Sequence, residues 1–402
     1  MGGKSSTITS AEERILSLQV QQSSQGLTLP VIYGRTRVAG NLIWYGDFVT
    51  IENKTTTQQG GKGGGGVKQV DIAYTYEAAV MLALCEGEIQ GVGRIWRDKE
   101  KFDSLAQLRL TLMRGGDEQP LWTHLAQAKH QNQALNYSGT AYLCSPNYEL
   151  TKSAQIYQHN FEVIGKLGYS GNIPDANPRE IIRDLLTNQR YGCGFPVDSI
   201  GDTDRYSNYC RAVGIFLSPA YTEQGEAQRN ISELLEQTNS AAVFSQGRLK
   251  IVPYGDGNYS GNGAVYVADN KAIYDLSDDD FIVSGAEDPV NVERKTNADA
   301  FNQIQVEYLD RDNDYNVAIA EVKDQANIEQ YGLRPKDAVK MHGICDGKVA
   351  QKVAQQLLQR ALASPEIDPT RLYVFGISEG GYGSQRLASF YADYWAAAGP
   401  MA

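Results

Sequence analysis

The run Gly376-Ile377-Ser378-Glu379-Gly380 sets a serine between two glycines in the G-x-S-x-G spacing of a nucleophile elbow. Residues 372–375 read as an apolar strand and 381–391 as a helix, so Ser378 is expected at a sharp strand-to-helix turn. The backbone N–H of Glu379 would then be one oxyanion donor. A serine hydroxyl without an adjacent base stays a weak nucleophile. In this motif the acid and then the histidine follow the serine along the chain. All four histidines (His124, His130, His159, His342) precede Ser378, and enlisting His342 would need a non-standard chain order. The expectation is therefore no catalytic residue; were the elbow functional, Ser378 would be its nucleophile.

The other chemistry-bearing patterns are weaker. Five cysteines (Cys85, Cys144, Cys193, Cys210, Cys345) are scattered with no CxxC or Cys/His cluster, so a zinc site is not expected and reduced thiols are. Residues 60–66 read GGKGGGG, but a phosphate-binding loop needs Ser or Thr after its lysine and then a helix. Here Gly63 follows Lys62, and a strand pattern follows the glycines. The stretch 54–68 is accordingly expected to be a flexible hairpin tip. Residues 310–314, DRDND, lack the glycine and glutamate of a calcium loop: Tyr315 stands at the glycine position. A solvated hairpin tip is expected there. No metal or cofactor is predicted. Met1-Gly2-Gly3-Lys4-Ser5-Ser6 fits the loose N-myristoylation pattern but reads better as a short disordered tail.

Composition narrows the class. A net charge of −11 over 402 residues disfavours a dedicated nucleic-acid binder, which needs a basic face to replace phosphate counterions. No apolar run reaches the roughly 18 residues of a membrane span, and no signal-peptide core opens the chain. Tyrosine outnumbers phenylalanine 24 to 10, a balance suited to β-rich surfaces and interfaces.

The elements that would position these residues form an α+β, multi-domain pattern. Residues 1–12 read as a flexible tail and 13–175 as a β-rich domain, with a strand entry at 14–22 and strands at 71–84, 92–96 and 161–163. A small α/β domain is expected over 176–255. Its first helix starts at Pro178 after an Asn177 cap, followed by helices at 203–213 and 227–237 and a hairpin around Ser245-Gln246-Gly247. A second β-rich domain covers 256–362, with strands at 264–267, 280–283 and 302–309 and a closing helix over 346–362. In 302–309, Ile304, Val306 and Tyr308 alternate with Gln303, Gln305 and Glu307.

Leu29-Pro30-Val31-Ile32-Tyr33-Gly34-Arg35-Thr36-Arg37-Val38-Ala39-Gly40-Asn41 resembles the opening of the tail hub or tail-tip proteins of long-tailed bacteriophages. The likeness continues through Trp44-Tyr45-Gly46-Asp47, the Gly-rich tip, Leu84-Cys85-Glu86-Gly87, Gly91–Trp96, Asn177-Pro178 and 294–308, covering about residues 12–362. The resemblance implies barrel-like hub domains, a homotrimeric ring closing the tail tube at the virion's tail tip, and contacts to tube, tape-measure and tail-fibre proteins. It carries no catalytic residues. From about 364 the likeness stops. Residues 368–383 instead resemble secreted esterases of the α/β-hydrolase type, without that fold's remaining strands, acid or base. This part is expected to be a strand-turn-helix fragment joined near residue 363, a chimeric or truncated C-terminus. The alternative is a serine esterase with Ser378 as nucleophile, fused to a binding module.

Overall fold

The computed structural model describes residues 7–18, 28–59, 67–166, 173–223, 225–269, 301–362, 373–377 and 397–401. Through the first half the strands run in order β1 (Thr7–Ala11), β2 (Val31–Ile32), β3 (Arg35–Ala39), β4 (Asn41–Gln59), β5 (Val67–Glu86), β6 (Gly91–Arg97), β7 (Glu100–Phe102), β8 (Thr111–Met113), β9 (Thr140–Glu149) and β10 (His159–Ile164). The second half begins with α1 (Pro178–Thr187), α2 (Asp204–Val213), β11 (Ala220–Tyr221), α3 (Ala227–Gln237), β12 (Ser240–Ser245) and β13 (Arg248–Pro253). It continues with β14 (Tyr259–Gly261), β15 (Ala264–Tyr266), β16 (Gln303–Asp310), β17 (Asn316–Lys323), α4 (Gln325–Tyr331), β18 (Val339–Lys340) and α5 (Gly347–Leu362). Strands β19 (Tyr373–Ile377) and β20 (Ala397–Met401) pair in parallel with each other.

Strand β5 is the spine of the first half. Antiparallel β4 lies along it from Asn41↔Ala83 to Gln59↔Val67. The opposite edge carries antiparallel β9 at Glu77–Glu86 and parallel β1 at Lys68–Ile72. A second sheet, ordered β3-β10-β6-β7, packs face to face on this one. Strand periodicity explains why β5 is apolar over most of 78–85. Ala78, Val80, Leu82 and Leu84 point between the sheets at Val38, Ile95, Phe161 and Val163. Ala79 and Met81 point to the other face, where Trp122 and Leu125 from the stretch between β8 and β9 cover them.

The α+β class expected from the sequence is the one observed, but the β-rich parts are open sheets; among the described residues none closes into a barrel. Closure would need the sheet's end strands, β8 and β11, to meet. Instead the sheet buries its two faces. Thr7–Ala11, expected within a flexible tail, form β1, because β4 leaves one edge of β5 free to be paired. Of the strand entry expected at 14–22, residues 14–18 are irregular and 19–22 lie outside the described residues. The tip expected at 54–68 is shorter: ladder pairing continues to Gln59↔Val67, and only 60–66 connect the strands. The strand expected at 280–283, the junction near 363 and the helix at 381–391 lie outside the described residues.

In the second half the helices follow their sequence signals closely. The Asn177 side chain accepts from the Arg179 N–H, Pro178 opens α1, and Ile181, Ile182, Leu185 and Leu186 are buried. Gln246 and Gly247 both take positive φ (55° and 73°), the two-residue turn that matches strand twist in a hairpin. One apolar core joins α1, α2 and α3 to β15, β16 and α5, through Tyr206, Leu234, Tyr266, Val306, Ala350 and Val353 among others. Helix α5 covers β16 and β17 by placing Val349, Ala350, Val353 and Ala354 on one face. Among the described residues no helix is long and apolar enough to cross a membrane.

Candidate functional site

The two halves meet through charge as well as apolar packing. The outer face of the β3-β10-β6-β7 sheet presents Arg37, Arg94 and Glu162, and the turn joining β16 to β17 inserts against it. Glu162 sits between Phe161 and Val163, which face the sandwich core; strand alternation therefore sends its carboxylate the other way. Its Oε1 accepts from Arg94 Nη2 at 2.7 Å and from the Tyr315 hydroxyl at 2.8 Å, and its Oε2 accepts from the Arg94 backbone N–H at 3.1 Å. Gly93 leaves room for the carboxylate in this position, since a Cβ there would lie 2.3 Å from Glu162 Oε2 and force the side chain to shift.

A second carboxylate completes the junction. Asp175 forms a bidentate pair with Arg311, one arm of which is the 3.2 Å bond from Nη1 to Oδ2. It also accepts from the Ser218 hydroxyl, whose oxygen in turn accepts from the Arg35 N–H at 2.9 Å. Arg311 Nη2 also reaches the Arg35 carbonyl at 3.2 Å, and its Nε reaches the Tyr315 hydroxyl at 3.3 Å. Gly34 allows this approach: φ is +62°, and a Cβ would fall 2.2 Å from Ser218 Oγ. Around the rim, Arg37 donates to the Asp314 carbonyl at 3.0 Å and Lys101 pairs with its carboxylate at 2.5 Å. Trp96 packs edge-on against Tyr315, with the Arg37 guanidinium 4.5 Å from its ring centroid.

Glu162 and Asp175 are each about 3% exposed, so both carboxylates depend on these donors. Burial works to raise the Glu162 carboxyl, but bonds from the Arg94 side chain and backbone and from Tyr315 outweigh it and hold the group below the usual carboxylate range. For Arg311, burial opposes the charge and the Asp175 pairing overcomes it, so the guanidinium is held more firmly protonated than usual. Burial pushes the Tyr315 hydroxyl up, leaving it a neutral donor.

The turn read from sequence as a solvated tip is thus the part of the second half that enters the first. Asp314 and Tyr315 both adopt left-handed φ, 55° and 61°, which turns the Tyr315 ring inward. The network draws on segments 136 and 153 residues apart, which no local motif could register. Two signals were visible: a lone glutamate inside an apolar strand, and a tyrosine closing an acidic turn.

A cleft of about 870 Å³ opens beside the junction, lined by Arg37, Asn41, Tyr221, Arg229, Glu233 and His342 among others. Ser378 and Glu379 lie outside the described residues; β19 ends immediately before them. Every histidine has a hydrogen-bond partner. His159 is buried between the Tyr148 hydroxyl and the Tyr157 carbonyl, and His342 Nε2 lies 2.7 Å from Glu307. His124 and His130 converge on Asp47, three residues whose donor atoms all lie within 4.8 Å of one another. Sequence spacing gave no sign of that group, because Asp47 is 77 and 83 residues away from its partners. Of the five cysteines, all free, only Cys193 is exposed.

Comparison with known proteins gives a family-model match and a likeness of fold. Residues 226–366 match a protein-family model described as "Putative phage tail protein". A chain in a solved structure entitled "Virion of native gene transfer agent (GTA) particle" aligns over 90% of this chain and 77% of its own length, with a TM-score of 0.54 and 18% identity. At that identity the likeness is one of fold. No curated protein matches. Together these findings support a structural phage-tail component.

Proposed function

We propose that this chain is the hub or tip protein of a phage or prophage tail. In this reading it assembles as a homotrimer that closes the tail tube and organises contacts with tube, tape-measure and fibre proteins. The observation that carries the reading is the coincidence of a tail-family match over 226–366 with a fold shared, over nine-tenths of the chain, with a virion chain. The first half supplies a surface for assembly. Strand β4 is 19 residues long and pairs only with β5 among the described strands. Beyond the sandwich it continues as an arm whose residues 51–57 are all exposed. Unpaired strand edges of this length are templates for pairing with another chain. The charged junction would hold the second half rigidly on the first, a requirement for a ring that bears load.

Light scattering coupled to size exclusion, followed by negative-stain imaging, tests the proposal. The expected result is a threefold ring, alone or on co-expression with tube protein. A species that stays monomeric under both conditions would remove the hub reading. A second reading, a serine esterase using Ser378, draws on one observation: β19 ends at Ile377 and has a parallel neighbour, as the strand before a nucleophile elbow does. Turnover of p-nitrophenyl acetate that disappears in Ser378→Ala would favour it over the purely structural role.

A further inference from the structure

We propose that Asp47, His124 and His130 bind a divalent transition-metal ion of the zinc class, which clamps the stretch between β8 and β9 onto the β5 sheet. Three features converge on this assignment. The first is the donor set. The Nε2 atoms of His124 and His130 lie 2.8 and 2.9 Å from the same carboxylate oxygen, Asp47 Oδ2. Two imidazoles and one carboxylate form a common three-ligand set for zinc, with solvent completing the shell. Ligands about 2.0–2.1 Å from a tetrahedral ion stand roughly 3.3 Å apart. The two histidine–carboxylate contacts would open by about half an ångström to admit the ion, and all three donor atoms already lie within 4.8 Å of one another.

The second feature is backbone that aims the carboxylate. Asp47 sits where the β4–β5 register breaks between Gly46 and Val49, and its φ is 48°. A bulge in a strand re-aims a side chain at the cost of ladder bonds, and such bulges gather at functional positions. Without it, Asp47 would follow the alternation of β4.

The third is the surroundings. Both imidazole side chains are only 11% exposed, whereas Asp47 is 25% exposed, which leaves one side for an ion to enter. The His124 ring stacks on Trp122 at 4.8 Å and His130 meets the Trp44 ring edge-on at 5.2 Å, so two indoles fix the rings. Lys129 Nζ also reaches Asp47 Oδ2, at 2.7 Å, from a side chain 53% exposed. The oxygen thus already gathers three cationic or N–H donors, and the lysine can withdraw to water. The stretch being clamped is long and, apart from the 3₁₀ turn Ala128–Gln133, nearly without regular structure. Connections of that length usually carry a function or a fastening.

The test uses full-length protein without a histidine tag. Zinc is titrated in competition with a chromophoric chelator, and zinc-edge X-ray absorption is recorded on the loaded wild type. The expected results are one equivalent bound and a shell of nitrogen and oxygen donors containing two imidazoles. Affinity should fall at least a hundredfold in Asp47→Asn and in His130→Gln. Cys193→Ser and His342→Gln should bind as wild type does. Near-UV circular dichroism reports whether each variant keeps its tryptophan packing. Four outcomes would overturn the proposal: no wild-type binding tighter than millimolar, a sulfur-dominated shell, equal affinity in folded Asp47→Asn, or loss of binding in Cys193→Ser. The absorption measurement needs no variant, so it decides even if both site variants misfold.

Discussion

Replacing Glu162 by alanine should unfasten the two halves of the protein locally. The substitution leaves Arg94 without its main partner and removes the acceptor from the Arg94 backbone N–H and from the Tyr315 hydroxyl. Breaking a buried ion pair costs about 3–5 kcal/mol when the remaining charge stays buried. The Arg94 side chain is 34% exposed and keeps Asp314 at 3.6 Å, so solvent and that neighbour recover part of the loss. Tyr315 retains the Arg35 carbonyl at 3.3 Å. The net cost is then about 3 kcal/mol, including about 1 kcal/mol for the orphaned N–H. Hydrogen exchange read by mass spectrometry on peptides covering 303–323 and 91–97 should accelerate roughly a hundredfold, since 1.4 kcal/mol is tenfold. Peptides of β5 and β9, on the far side of the sandwich, should be unchanged. Glu162→Gln, which keeps an acceptor, should show a smaller effect. Acid provides a second arm. Because the folded carboxyl lies below its usual value of about 4.5, its contribution is complete above that pH and is lost as pH falls through the lower folded value. Wild-type exchange in 303–323 should therefore rise below about pH 4.5, and Glu162→Gln should lack that component. Acceleration below about threefold in Glu162→Ala, or acceleration spread evenly over the whole chain, would refute the junction as argued.

Three further outcomes follow from the same structure. Burial lowers the His159 imidazole from 6.5 to about 4, so its contribution is full above pH 6.5 and is lost as pH falls from there toward 4. The pH dependence of the denaturant midpoint should contain a component of about 3 kcal/mol that is missing in His159→Phe. Gly34→Ala places a Cβ 2.2 Å from Ser218 Oγ at φ +62° and should cost at least about 2 kcal/mol, read as a lowered thermal midpoint. Val49 and Ile51 on β4 are 50% and 38% exposed; changing both to lysine should block ring formation while far-UV circular dichroism stays the same.

Local structure was legible wherever the residues themselves supply the physics. The cap at Asn177, the alternation expected over 302–309 and the apolar faces of α1 and α5 need only neighbours in the chain, and each appears within about a residue of where the pattern put it. The limits of the Gly-rich tip were misjudged because polar residues 54–59 carry no apolar signal; their strand state comes from ladder bonds to β5. The acidic turn is the hairpin turn expected, with Asp312 and Asn313 exposed, but its docking was missed for a related reason. Its composition describes a solvated loop, whereas its burial is set by Asp175, Glu162 and Arg94, all distant in the chain.

The sequence alone determined the α+β class, four of the five helices with the Asn177 cap, the principal strands as segments of the chain and the likeness to phage tail proteins. Each rests on propensity, periodicity or runs of residues that are local in the chain. Tertiary structure alone decided that the sheets stay open and that two buried carboxylates and their arginines join the halves. It also decided that Asp47 meets His124 and His130. The physical reason is common to all three. A charge or imidazole has no periodic signature, and its environment becomes defined only when packing removes water and brings a distant partner within hydrogen-bond reach.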